Sequence, residues 1–92
     1  MASGDIKLQS NVRCKSIKQR CSIGGNEHIN ITIQYGETIN NIVDVVLARH
    51  INPAFVFGSV STIGNTSCII GAYNTYSGAL EDDVKILVFY TV

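Results

Sequence analysis

Residues 28–35 read HINITIQY, and every second side chain in this stretch is apolar or aromatic. Ile29, Ile31 and Ile33 alternate with polar side chains, and this period of two predicts a β-strand with one buried and one solvated face. Because neighbouring side chains of a strand point to opposite faces, a second layer must cover the isoleucines. The chain is therefore restricted to folds that contain a half-buried sheet.

The residue types favour strands along the whole chain. β-Branched residues number 28, and Phe and Tyr bring the total to 35 of 92, against 23 strong helix formers. Branching at Cβ suits the pleated surface of a sheet better than a helix. Eight Gly, eight Asn and eight Ser supply turns. We expect an all-β fold, an antiparallel β-sandwich of about seven or eight strands in one domain, 1–92.

Residues 38–51 fit two interpretations. The spacing of an amphipathic helix is found at Ile39, Ile42, Val43, Val46 and Leu47. Thr38 would cap such a helix at its N-terminus. Against a helix, most of these positions are β-branched, and residues 42–48 also fit a buried strand. A short helix around 38–50 therefore remains an alternative to a strand.

Alternation and β-branching also predict the core. The expected core positions are Ile29, Ile31, Ile33, Val46, Phe55, Ile69, Ile86 and Val88. The stretch 84–91, VKILVFYT, is nearly all apolar and is expected to be a central strand. Leu87 and Phe89 alternate with the core positions on this strand, so a neighbouring chain or layer must cover them. We expect these two residues at an oligomer interface.

Charged residues are only 15% of the chain, and seven basic residues balance seven acidic ones. This balance argues against nucleic-acid binding by bulk charge. Little solubilising charge remains, which favours assembly with a partner. The charges are segregated, with a net charge of +3 in residues 1–36 and −3 in residues 37–92. Two explanations fit this segregation: the charges lie on solvated loops, or they form complementary surfaces that meet between identical subunits.

The sequence contains none of the glycine-rich phosphate loops, Gly-x-Ser-x-Gly elbows or closely spaced metal-ligand pairs that carry common enzyme chemistry. We therefore expect no enzyme activity, no cofactor and no metal site. The acidic run 81–83 is expected to be a solvated turn and not a calcium site. No bilayer-spanning stretch and no signal-peptide core is found, which predicts no membrane insertion. Either the protein is made and kept in a cytoplasm, or a leader precedes the given sequence.

The three cysteines are expected to be free thiols. In a reducing compartment, Cys14, Cys21 and Cys68 act as small buried hydrophobic residues. A tight hairpin centred on residues 17–18 would instead allow a disulfide between Cys14 and Cys21.

Residues 73–78, YNTYSG, have the composition of a contact loop. Tyr supplies rigid contact area with a polar tip, and Asn and Ser supply adaptable hydrogen bonds. The candidate ligand-binding residues are Tyr73, Asn74, Tyr76 and Ser77. A polar hairpin loop with one Tyr over the edge of the core is the alternative interpretation.

The order of segments is also informative. An alternating strand, INITI, is followed by NIVDVVLA, by FVFGSVS after an Asn-Pro turn, by the polar loop of TSCIIGAYNTYSGALEDD and by the terminal strand VKILVFYTV. This pattern over residues 28–92 resembles the C-terminal knob of bacteriophage tail-fibre and tail-tip proteins, some of which are similar to the H-type lectin sandwich. H-type lectins usually carry a Trp beside the final strands, and this chain has none. Residues 1–27 would add N-terminal strands to the knob.

The resemblance implies a virion protein, made in the host cytoplasm and assembled as a homotrimer with other tail proteins. It implies recognition of a polysaccharide or protein receptor on a bacterial surface, and it favours a strand at 42–48. A stand-alone carbohydrate-binding lectin or protein-interaction β-sandwich unrelated to phage is the second hypothesis. A small α+β enzyme or toxin-like protein with a helix at 38–50 is the third.

Overall fold

The computed structural model describes residues 11–92, which form six β-strands and contain no helix, and so no helix that could span a membrane. The strands are β1 Val12–Ile23, β2 His28–Gln34, β3 Ile42–Arg49, β4 Phe55–Ser61, β5 Ser67–Asn74 and β6 Leu80–Thr91. They form two antiparallel sheets, sheet A in the order β1-β6-β3 and sheet B in the order β2-β5-β4. The all-β class is confirmed, whereas the predicted seven or eight strands are not.

The two sheets pack in a sandwich-like arrangement, in which β1 contacts β2 and β3 contacts β4. The face of each sheet that is turned toward the other sheet is called inner, and the opposite face is called outer. β1, from the predicted N-terminal segment 1–27, shares sheet A with the last strand of the chain. The first ten residues of that segment, 1–10, lie outside the described residues.

β6 is the central strand of sheet A, as its apolar sequence predicts. It pairs with β1 without interruption, from Thr91 opposite Val12 to Leu80 opposite Ile23. Because this pairing continues beyond the apolar stretch, the acidic run 81–83 lies within β6. The prediction of a solvated turn there is wrong, since the ladder with β1 holds these residues in extended conformation.

The contested segment forms β3, an edge strand of sheet A, so the helix alternative is wrong. Its pairing with β6 shifts register between Ile42 and Asp44 and again between Leu47 and Arg49. A bulge adds one residue to a strand and changes which side chains face inward after it. Val45 is therefore buried, and Val46, which was predicted to be in the core, is 37% exposed on the outer face.

The core is built from both inner faces, and its fully buried members include Ile23, Ile33, Ile70, Val84, Ile86 and Val88. Core positions that the sequence predicted correctly are Ile31, Ile33, Phe55, Ile86 and Val88, with Ile29 half-buried against them. Ile69 was predicted in the core but pairs with Thr32 on the outer face of sheet B, while Cys68 and Ile70 face inward. A continuous apolar run such as residues 68–70 does not reveal which positions face inward.

Candidate functional site

The outer face of sheet B carries two stacked aromatic rings. His28 on β2 lies directly opposite Tyr73 on β5, and their neighbours Ile29 and Ala72 face the core. The ring centroids of His28 and Tyr73 are 4.2 Å apart, and the ring planes are 19° from parallel. Stacking turns one face of each ring toward the other ring, so the opposite faces and the edges remain to contact a ligand; we call this pair the aromatic platform.

A groove of ≈ 450 Å³ adjoins the platform. Asn30 and Val56 line it, and its floor includes the backbones of Gly58 and Gly71 on the neighbouring strands β4 and β5. A Cβ at Gly58 would lie 3.8 Å from the carbonyl oxygen of Gly71, so the two glycines are adjacent and leave space above them. The volume lies within the range of small-molecule sites, about 300–1,000 Å³. The platform and this space together are the aromatic groove.

Asn74 points to the inner side and is fully buried. Its Nδ2 donates to the carbonyl oxygens of Ile23, Gly24 and Gly78 at 3.1, 3.3 and 2.9 Å. Its Oδ1 accepts a hydrogen bond from the Tyr76 N–H at 2.9 Å. All polar atoms of the amide are used within the protein, so Asn74 positions the loop and has no atom left to contact a ligand.

The loop after β5 is held firmly by its neighbours. The Tyr76 carbonyl accepts a hydrogen bond of 2.9 Å from the Asn26 N–H in the β1–β2 turn. Gly25 of that turn lies so close to the Ser77 carbonyl that any Cβ at position 25 would collide with it. The side chain of Tyr76 is nevertheless 56% exposed, and Ser77 is exposed beside it. The loop therefore presents both residues from a fixed backbone.

The structure thus separates the four predicted ligand-binding residues into three environments. Tyr73 lies in the aromatic groove, Asn74 lies in the interior, and Tyr76 and Ser77 lie on the loop without lining the groove. Sequence analysis did not select His28, which completes the platform. The alternation of residues 28–35 places His28 on a polar face, but only the register with β5 shows that Tyr73 is opposite it.

The predicted interface residues lie on the outer face of sheet A. Leu87 lies between Ser16 of β1 and Val46 of β3, and Phe89 is the next outward residue on β6. Leu87 and Phe89 are half-buried, so parts of both side chains reach the surface. We call Val46, Leu87 and Phe89 the apolar patch.

A buried carboxylate lies on the inner side of β6. Asp82 Oδ1 accepts a hydrogen bond from the Ile51 N–H at 2.8 Å, and Oδ2 lies 3.2 Å from His50 Nδ1. Cys21 is directly opposite Asp82 on β1. Burial, followed by the negative charge of Asp82, raises the pKa of the Cys21 thiol. Because a protonated thiol is a poor nucleophile, this cluster is suited to anchor residues 50–51 against β6.

All three cysteines are free thiols, with Cys14 exposed and Cys21 and Cys68 buried. Cys14 and Cys21 lie seven residues apart on the continuous strand β1. At about 3.3 Å per residue their Cα atoms are about 23 Å apart, so the hairpin disulfide considered from the sequence is wrong.

Ion pairs connect the basic segment 1–36 with the acidic segment 37–92. Lys15 Nζ lies 2.7 Å from Glu37, and Arg20 lies 2.7 Å from Glu81 and 3.1 Å from Asp83. Hydrogen bonds to Glu81 and Asp83 raise the pKa of Arg20 above its ordinary value. Part of the charge segregation in the sequence is therefore matched within one chain.

No protein-family model, curated protein or solved structure matches the chain. Within residues 11–92, no three His, Cys, Asp or Glu side chains are grouped so that they could hold a metal ion. The function is therefore inferred from the geometry of the two outer faces.

Proposed function

We propose that the protein is an adhesion domain that binds a saccharide of a bacterial surface in the aromatic groove, as the distal knob of a phage tail fibre or tail tip. The observation that carries this proposal is the stacked pair His28 and Tyr73 beside a groove floored by Gly58 and Gly71. The order of the strands and loops from residue 28 to the terminal strand supports the phage assignment.

The groove matches the two chemical characters of a sugar ring. A pyranose presents a flat face of C–H groups and an edge of hydroxyl groups. A ring face of the platform that the stacking leaves free supplies an apolar surface for the flat face of the sugar. Asn30 supplies an amide that both donates and accepts hydrogen bonds, as a hydroxyl requires. The absence of side chains at Gly58 and Gly71 lets the ring approach the backbone.

The exposed loop provides a second contact in the same proposal. Tyr76 and Ser77 project from a backbone that hydrogen bonds already fix, so a ligand need not order them. A saccharide chain that extends beyond the groove would contact Tyr76 by packing and Ser77 by hydrogen bonds.

The proposal includes assembly as a homotrimer through the apolar patch, in a virion with other tail proteins. Leu87 and Phe89 are half-buried on the outer face of sheet A, away from the aromatic groove on sheet B. Contacts through the patch would bury them and leave one groove open on each subunit. Three linked sites bind a repeating surface polymer more tightly than one site, through avidity.

Binding of the wild type and of the Tyr73→Ala and Tyr76→Ala variants to whole bacteria and to their purified surface polysaccharide tests the proposal. Loss of an aromatic contact costs on the order of 1–3 kcal/mol, so Tyr73→Ala should weaken each site about tenfold or more. Tyr76→Ala should have a smaller effect, because Tyr76 lies outside the groove. Thermal unfolding of each variant shows whether the fold is retained.

Ser61→Ala is a matched control, because Ser61 is exposed on the same sheet and does not line the groove. Binding by Tyr73→Ala equal to that of the wild type, at equal stability, contradicts the groove as the receptor site. If purified polysaccharide does not compete with binding to cells, the receptor is a protein instead.

The assembly is tested by size-exclusion chromatography with light scattering. Phe89→Asp should convert a trimer into monomers, because a carboxylate in a buried contact has no partner there. Ile63→Asp introduces the same charge at a loop residue that is 44% exposed, and it should leave the trimer intact. A wild-type monomer at micromolar concentration would contradict the trimer.

A further inference from the structure

Three basic residues form one line across the outer face of sheet A. Lys18 of β1 is directly opposite Lys85 of β6, and Arg49 of β3 is directly opposite the same Lys85 from the other side. Neighbouring strands lie about 4.8 Å apart, so three cationic side chains start within about 10 Å of one another. We call Lys18, Lys85 and Arg49 the basic row.

The basic row lacks the carboxylate partners found elsewhere on sheet A. Among the described residues, the ion pairs of lysine and arginine involve Lys15 and Arg20, and none involves a member of the row. Like charges directly opposite each other on neighbouring strands destabilise a sheet. Two such pairs share Lys85, so the row costs stability in the free protein.

The row borders a surface cleft of ≈ 380 Å³, which is also lined by Ser16, Ile51 and Asp83. Asp83 is the only carboxylate of this lining, and its Oδ1 accepts a hydrogen bond of 3.1 Å from Arg20. With three cations and one carboxylate that is shared with Arg20, the cleft has a surplus of positive charge. Ser16 adds a hydroxyl that can donate a hydrogen bond.

We propose that this cleft binds a phosphate group. The Arg49 guanidinium presents paired N–H donors that match two oxygens of a phosphate, and the two ammonium groups add compact positive charge. A phosphate is a multivalent anion with several acceptor oxygens, so one group can contact all three cations and remove their mutual repulsion. The site lies on sheet A and is independent of the saccharide groove on sheet B.

Thermal unfolding with and without inorganic phosphate tests the site, with sodium chloride at the same ionic strength as the reference. At ten times the dissociation constant, phosphate should raise the Tm by about 5 °C or more above the reference. A polyphosphate chain is measured in parallel. A much larger rise with the chain at equal phosphate content indicates a phosphate-bearing polymer, and equal rises indicate a single phosphate group.

Lys85→Gln removes the central charge of the row. Without phosphate at low salt, it should raise the Tm by about 2 °C, because two like-charge pairs are relieved. It should also abolish the phosphate-specific rise. Lys18→Gln provides the same test if Lys85→Gln does not fold. Arg13→Gln is the matched control, because it removes one exposed charge from β1 outside the cleft, and it should keep the phosphate-specific rise.

The proposal is overturned if phosphate stabilises the wild type no more than chloride does at equal ionic strength. It is also overturned if the folded Lys85→Gln or Lys18→Gln variant keeps the full phosphate-specific rise. Because these measurements do not involve the aromatic groove, their outcome is separate from that of the saccharide-binding experiments.

Discussion

The outer face of sheet A and the outer face of sheet B are both made of three antiparallel strands, yet they differ in chemistry. Sheet A presents the apolar patch next to the basic row, with Leu87 and Lys85 as successive outward residues of β6. Sheet B presents the aromatic groove, where glycines on β4 and β5 leave space beside His28 and Tyr73. One face has unpaired charge and exposed apolar area, and the other has a stacked aromatic pair beside a groove.

The two faces therefore suit different partners at the same time. A face with half-buried Leu87 and Phe89 is suited to another protein surface, and a charged row at its border is suited to an anion. A glycine-floored groove is suited to a small neutral ring. Because the core lies between the two faces, a substitution on one outer face should leave binding at the other unchanged.

The largest expected change in the free energy of unfolding distinguishes the inner face of β6 from its outer face. Ile86 is fully buried, so Ile86→Ala should lower the free energy of unfolding by about 3 kcal/mol. Leu87 is half-buried on the opposite face, so Leu87→Ala should cost about 1 kcal/mol in a monomer. Urea unfolding of both variants at several protein concentrations measures these values.

The same two variants, Ile86→Ala and Leu87→Ala, also test whether the apolar patch is a subunit contact. If the patch is a subunit contact, the loss of unfolding free energy caused by Leu87→Ala should grow with protein concentration. The loss caused by Ile86→Ala should include its core cost at every concentration. A Leu87→Ala cost as small and concentration-independent as that of an exposed position would contradict an interface at this face.

Much of the fold was predictable because it depends on local patterns. The alternation of residues 28–35 identified β2 and its inward isoleucines, and the apolar run 84–91 identified the central strand. Val46 was misplaced because the bulge near Val43 reverses the facing of later β3 residues. A bulge depends on the pairing of β3 with β6, which the sequence of β3 alone does not contain.

The candidate sites were less predictable, because each depends on register between distant strands. Lys18, Arg49 and Lys85 are far apart in sequence and become neighbours only through the pairing of β1 and β3 with β6. Asn74 was selected as a ligand contact from composition, which does not distinguish an exposed loop amide from a buried one that holds the loop.

Asn74→Ala should disturb the loop of Tyr76 and Ser77 and spare sheet A. The substitution leaves the carbonyl groups of Ile23 and Gly78 without their donor, at a cost of about 2 kcal/mol. Amide hydrogen exchange should accelerate in residues 24–27 and 75–78, whereas the β1–β6 ladder stays protected. Asn30→Ala, the same change at an exposed position, should leave exchange in both regions unchanged. Equal acceleration in the β1–β6 ladder would show that the two sheets do not respond separately.

Tyr35→Phe tests the core that lies between the two sheets. The Tyr35 hydroxyl is buried beside the Cys68 thiol and has no hydrogen-bond partner at normal distance and angle. Its removal should raise the free energy of unfolding by about 1 kcal/mol, because a buried unsatisfied polar group is destabilising. No gain in stability at pH 7 would indicate that water reaches the hydroxyl.

Alkaline pH should enlarge the difference between the wild type and Tyr35→Phe. Burial is the main cause that raises the pKa of Tyr35 from 10.0 to about 12. Between these values the unfolded chain releases a proton that the folded protein retains, so wild-type stability falls as the pH rises from 10 to 12. Cys21 titrates in both proteins, whereas the Cys68 thiol interacts with the Tyr35 hydroxyl, so the difference between the two unfolding curves reports Tyr35 together with its coupling to Cys68. Parallel curves over this range would contradict the raised pKa.

Gly71→Ala should have the smallest effect on stability and still distinguish the two faces. A Cβ at position 71 would lie 3.7 Å from Asn30 Oδ1, which is ordinary van der Waals contact, so the free energy of unfolding should change by less than about 1 kcal/mol. The added methyl group would project into the aromatic groove, so saccharide binding should weaken while phosphate stabilisation stays unchanged. Ser16→Ala, a small change in the cleft of sheet A, should leave saccharide binding unchanged. Saccharide binding that Gly71→Ala does not reduce would place the receptor contact on the loop of Tyr76 and Ser77, because a ligand in the groove must meet the new methyl group.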